Sequence, residues 1–184
     1  MKTLVAGVGY TNLRDFSVGP VLTTRLHAMD WPVDVEVDDL SFGPIGIVQR
    51  FQAQTDPYER VVLFAAVSRG RKPGTVTVYG WDGKLPPAEE IQARIGEAVT
   101  GVISLDNLLI IGGHFGIWPE EVIVVEVEPQ DEGEGGWGPG FSPAVTQAVG
   151  DVIVAVRRAA LDGYDHRRDD PAGRLYAQPA EKPA

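Results

Sequence analysis

Three carboxylates stand where this chain changes direction. Asp15 follows the apolar run "TLVAGV" and its turn residues Gly-Tyr-Thr-Asn, and Asp38 and Asp39 close the alternating segment "VDVEVDD". If both runs are strands of one sheet, the three acids gather at its carboxyl edge, where open α/β sheets place ligands. Clustered there they could bind a cation, contact a substrate or polarise a bond. The local alternative is that Asp15 caps a helix and Asp38 or Asp39 accepts in an Asx turn.

Other chemistry has weaker support. His27, His114 and His166 have no mutual spacing that would join them at a metal; His114, in "GGHFG", is the one placed for a role. "GVG" at 7 to 9 resembles part of a dinucleotide fingerprint, but Asn12 stands where the third glycine belongs, and a tight strand-to-helix turn explains the glycines equally well. There is no GxSxG elbow, and Ser41, Ser68 and Ser104 fall at turns or caps. Without cysteine there is no thiolate nucleophile, disulfide or cluster ligand.

The elements that must position these residues follow from periodicity. "TLVAGV" predicts a buried first strand; Ser17 then caps a helix carrying Val18, Val21, Leu22, Leu26 and Met29, which Asp30-Trp31-Pro32 stops. "VDVEVDD" predicts a strand near a sheet edge, and a helix from about Pro44 to Gln54 follows with Ile45, Val48 and Phe51 or Gln52 inward. "RVVLFAAV" reads as the central strand, and "GTVTVYG" as an antiparallel neighbour across a short loop. That loop, "SRGRKPG", reads as a solvated turn carrying Arg69, Arg71 and Lys72.

Pro87, Glu89 and Glu90 open a helix with Ile91, Ile95 and Val99 as its stripe, and Ser104 caps a short one ended by "GGHFG". "EVIVVEVE" is a further strand, and after the acidic "PQDEGEGGWGPG" a long helix runs from Ser142-Pro143 to Gly163. The sum is one α/β domain over residues 1–163, a three-layer sandwich with a central, mostly parallel twisted sheet of about five strands and helices on both faces. The polar, proline-containing segment 164–184 is expected to be a disordered tail.

At 184 residues, 43% hydrophobic and 23% charged, the chain has ordinary globular composition. Its formal net charge of −10 argues against nucleic acid as a partner. No apolar stretch approaches a membrane span, and the amino terminus lacks the length of a secretion signal, so the expected setting is the cytoplasm, away from membranes.

Four segments in one order and spacing, "LVAGVGYTNLRDFSVGP", "FAAVSRGRKPGTVTVY", "WPEEVIVVEVEP" and "GFSPAVTQAVGDVIVAVRRAAL", resemble the hydrogenase maturation endopeptidases, the HybD-like proteases of nickel-iron hydrogenase assembly. The resemblance spans about residues 2–163. It implies a three-layer α/β fold and, as partner, the hydrogenase large subunit or its precursor, whose carboxy-terminal extension such proteases remove once nickel is loaded. It also implies that two carboxylates and one histidine sense that nickel.

Transferred position by position, those three ligands are missing. The first falls on Phe16, beside a retained Asp15; the second on Phe64, or on Ala65 if the register slips by one; the histidine at about Thr100-Gly101. The acid that follows the second strand survives as Asp38 or Asp39. Two phenylalanines converging on this spot would fill it with apolar volume, whereas unpaired carboxylates would be costly to bury.

This pattern predicts a non-proteolytic member of the family that binds a large subunit, or a related metalloenzyme subunit, as an assembly factor and has no cofactor or metal of its own. The alternative is an active endopeptidase that reads nickel carried by its substrate through relocated ligands such as His114 with Asp15 and Asp38. A small-molecule binder at the glycine turn is the third reading.

Overall fold

Strands β1 (Thr3–Gly7) and β3 (Arg60–Ala66) are buried along their whole length, as continuous apolar runs must be when both faces of a sheet are covered. The computed structural model describes residues 1–130 and 137–164. In it β2 (Val35–Asp39), β4 (Val76–Gly80) and β5 (Glu121–Val127) complete a five-stranded sheet in the order β2-β1-β3-β5-β4, parallel except for β4.

Helices α2 (Pro44–Gln52) and α4 (Leu105–His114) cover one face, where Ile47, Phe51, Leu105, Leu108 and Leu109 meet Leu4, Leu63 and Val124. Helix α3 (Ala88–Val99) stacks on α4 through Ala98 and Ile111. Helices α1 (Val18–His27) and α5 (Pro143–Asp162) cover the other face, where Val18, Leu22, Val152 and Val156 meet Val5, Val62, Phe64 and Val125. The predicted three layers are therefore present.

Several details differ from expectation. β4 is antiparallel, but its partner is β5 and not β3, because the loop after β3 crosses the end of β5 and is fastened to it. Of the predicted stripes Leu22, Leu26, Val48, Phe51 and Ile91 are buried, whereas Val21, Met29, Ile45 and Val99 are exposed, and Ile47 takes the inward place expected of Ile45. α4 continues through Gly112 and Gly113 to His114. A Cβ at those glycines would come within 2.5 Å of Trp118 and 2.6 Å of Trp81, so they make room for indole rings and do not end the helix. Among the described residues no helix is long and apolar enough to cross a membrane. The tail expected over 164–184 lies, apart from Tyr164, outside the described residues.

Candidate functional site

A crevice of about 290 Å³ opens at the carboxyl ends of β1 and β3. On one side of it the chain passes from β1 to β2 and on the other to β3, so it sits at the topological switch point of the sheet. Val8, Phe16, Ala65, Val67, Val102 and Ile103 supply its apolar walls.

Two connections shape the walls. The segment after β1 turns through Gly9 into a 3-10 helix, Arg14–Ser17, which presents Phe16; Tyr10 N–H donates to the Phe16 carbonyl at 3.0 Å. A Cβ at Gly9 would lie 2.3 Å from that carbonyl oxygen, and one at Gly7 would lie 2.4 Å from the Gly19 carbonyl. Close packing of this turn and of α1 against β1 thus accounts for the glycines that resembled a nucleotide fingerprint. The loop between α3 and α4 brings in Val102 and Ile103, held by an Ile103 N–H to Tyr10 hydroxyl bond of 2.8 Å. Ser104 caps α4 by accepting from Asn107 N–H at 3.0 Å.

Asp106 is the acid that lines the crevice, and it is occupied. Arg69 donates to both its oxygens, at 2.8 and 2.7 Å, and to both oxygens of Glu126, at 3.3 and 2.6 Å. Glu126, fully buried, also accepts from Arg71 at 2.9 Å and from the Tyr79 hydroxyl at 2.8 Å. Glu128 accepts from the Arg69 and Gly70 backbone N–H groups. Burial opposes the charge on Arg69, but hydrogen bonds and charge from Asp106 and Glu126 outweigh it and hold the guanidinium above its ordinary value. Burial, then the charge of Glu126, pushes the Tyr79 phenol up.

The segment read as a solvated turn is thus an ion-pair clasp in which only Lys72 of the three cations is exposed. The signal lay at the end of β5: Glu126 interrupts an apolar strand that the sheet must cover, Glu128 follows it, and buried acids require cations.

The predicted acid cluster does not assemble. Asp15 is fully buried and accepts from Ser142 N–H at 2.7 Å and Gln130 N–H at 2.9 Å, tying the turn after β1 to the exit of β5 and the start of α5. It therefore ties two distant segments together and does not cap its own helix. Asp38 and Asp39 end β2 at the sheet edge: Asp38 pairs with Arg50, and Asp39 closes an Asx turn to Ser41 N–H at 2.9 Å. Neither lines the crevice. His114 ends α4, roughly 14 Å along the helix from its crevice end, with its ring against Phe115. His27 is exposed, and His166 lies outside the described residues. Among the described residues no group of three or more His, Asp and Glu is placed to hold a metal ion, so the relocated set His114, Asp15 and Asp38 is not formed.

The degenerate positions separate as well. Phe16 reaches the crevice, whereas Phe64 points to the opposite face, into the core beneath α1 and α5, and Ala65 takes the second position. Phe16 also packs against the core cluster that holds Phe64, but Phe64 does not line the hollow; Phe16 and Ala65 do. Thr100 caps α3, its hydroxyl donating to the Glu97 carbonyl at 2.7 Å, and Gly101 adopts a φ of 90°; both are exposed just before the crevice-lining Val102.

Taken together, the sheet order, the helical layers and the crevice at the switch point define the fold of the hydrogenase maturation peptidases. The hydrogenase 2 maturation peptidase from Thaumarchaeota archaeon SCGC_AB-539-E09 superposes with a TM-score of 0.59 at 22% identity, over 86% of this chain and 97% of that one. The hydrogenase maturating endopeptidase HybD from E. coli gives 0.59 at 22% identity over 86% and 91%. The hydrogenase 3 maturation protease gives 0.59 at 17% over 95% of both chains. At these identities the likeness is one of fold. No protein-family model matches the sequence, and no curated protein sequence does.

Proposed function

We propose that this chain is a non-proteolytic member of the hydrogenase maturation protease family, which holds a hydrogenase large subunit, or a related metalloenzyme subunit, during assembly. The observation that supports this reading is the crevice lining: it holds Phe16 and Ala65, onto which the resemblance transfers the two metal-sensing carboxylates, and its acid, Asp106, is paired with Arg69. Such walls disfavour a cation and favour an apolar side chain. The scaffold around them is kept, so a partner's chain end can still approach the carboxyl edge of the sheet. There Asp38 and Asp39 supply acidic contacts from the end of β2.

The test is to incubate a nickel-loaded large-subunit precursor with the protein, then read the precursor's mass and its co-elution with the protein. The expected result is a complex containing full-length precursor. A shortened precursor, or no complex, overturns the reading.

A further inference from the structure

The two outer strands of the sheet are built differently. β2 carries Glu36, Asp38 and Asp39, whereas β4, Val-Thr-Val-Tyr-Gly, carries neither charge nor proline and so lacks the usual protection against edge-to-edge pairing. Beside β4 lies a groove of about 420 Å³, lined by Val78, by Asp151, Val154, Ala155 and Arg158 along α5, and at its far end by Asp162 and Tyr164. Val154 is 65% exposed. Asp151 and Arg158 are exposed, and neither has a hydrogen-bond or ion-pair partner among the described residues.

We propose that a second copy of this chain occupies this edge, joined β4 to β4 about a two-fold axis perpendicular to the sheet. The α5 stripe is self-complementary for that operation. Asp151, Val154, Ala155 and Arg158 share one helix face, and the two charges lie symmetrically about the Val154-Ala155 pair. Two antiparallel α5 helices centred there set each Arg158 opposite Asp151 of the other copy, as an isologous interface requires.

The spacing also fits. α5 rests mainly on β5 and β3, with flanking contacts to β1 and β4. From β5 to its copy, across the two β4 strands, is three strand spacings, about 14 Å. Helices in direct contact lie roughly 8–10 Å apart, so this seam needs long side chains to bridge it. Arg158 supplies the reach and Val154 the apolar filling. An extended peptide from another protein could pair with the same edge, but it would leave the symmetry of the charges unused. The crevice at β1 and β3 stays open in the dimer, so the assembly stands independently of the proposed function.

Sedimentation velocity of the full chain over a dilution series tests this. The expected species is a reversible dimer of twice 19.8 kDa. Arg158→Asp should weaken association by about tenfold or more, since it sets two acids against each other at both ends of the seam. Asp151→Arg added to Arg158→Asp should restore it. Both positions are exposed, so the circular dichroism spectrum should not change. A monomer throughout, a dimer indifferent to Arg158→Asp, or a double variant that fails to re-associate overturns the proposal.

Discussion

Arg69 grips the Asp106 carboxylate with both terminal nitrogens while donating to the fully buried Glu126, so one guanidinium joins the loop after β3 to the start of α4 and to the end of β5. It is the hinge on which one wall of the crevice hangs.

Removing that cation leaves Glu126 with Arg71 and Tyr79 alone. Arg69→Met is expected to cost about 1.5–3 kcal/mol, because Glu126 and Asp106 lose charge-assisted hydrogen bonds while Arg71 still offsets part of the buried charge. Urea unfolding monitored by circular dichroism measures it. Asp106→Asn, at a position still 23% exposed, should cost clearly less. Equal losses would mean that the clasp is not centred on Glu126.

The Tyr79 phenol is held above its ordinary value by burial and then by the charge of Glu126. In the unfolded chain it ionises near pH 10, while in the folded protein it keeps its proton. Above that pH the unfolded state binds fewer protons. The stabilisation, fully present below about pH 10, should then fall by up to about 1.4 kcal/mol per pH unit until the folded phenol also ionises. Urea unfolding between about pH 9 and about pH 11 should give a shallower decline for Tyr79→Phe than for the parent protein.

Asp15 holds two backbone donors in a dry site. Asp15→Ala leaves both without a partner and should destabilise by about 2–6 kcal/mol, at 1–3 kcal/mol for each group. Asp15→Asn still offers one oxygen and should cost less. Thermal unfolding orders the two variants; a stable Asp15→Ala protein would mean that the turn does not depend on this carboxylate.

Placing metal-ligating side chains at residues 16, 65 and 100 tests whether the present side chains bar the crevice to a cation. Nickel should leave the melting midpoint of the parent protein unchanged. It should raise that of the triple variant Phe16→Glu, Ala65→Asp, Thr100→His, by the equivalent of about 2.7 kcal/mol at a hundred times the dissociation constant. Calorimetric scans with and without nickel decide this, and stabilisation of the parent would contradict the proposed function.

The strands were legible because each is a run whose period, two or continuous, is local. β2 with its alternating acids is an edge strand, and β3, apolar throughout, is central. The caps at Ser104 and Ser142 are legible for the same reason, since a hydroxyl and the N–H three residues on are fixed by short-range geometry. Exposure of Val21 and Val99 was not legible, because helical spacing finds a stripe without saying which flank a neighbouring layer covers.

By itself the sequence determined the alternation of strands and helices, the apolar faces they bury, and the phenylalanine at the turn after β1. Only the tertiary structure decided that β5 enters between β3 and β4, that Asp15 faces inward, that Arg69 is clasped, and that Ala65 rather than Phe64 faces the crevice. Each of these depends on which distant segment lies alongside, and successive side chains of a strand point to opposite faces, so a one-residue shift exchanges wall for core.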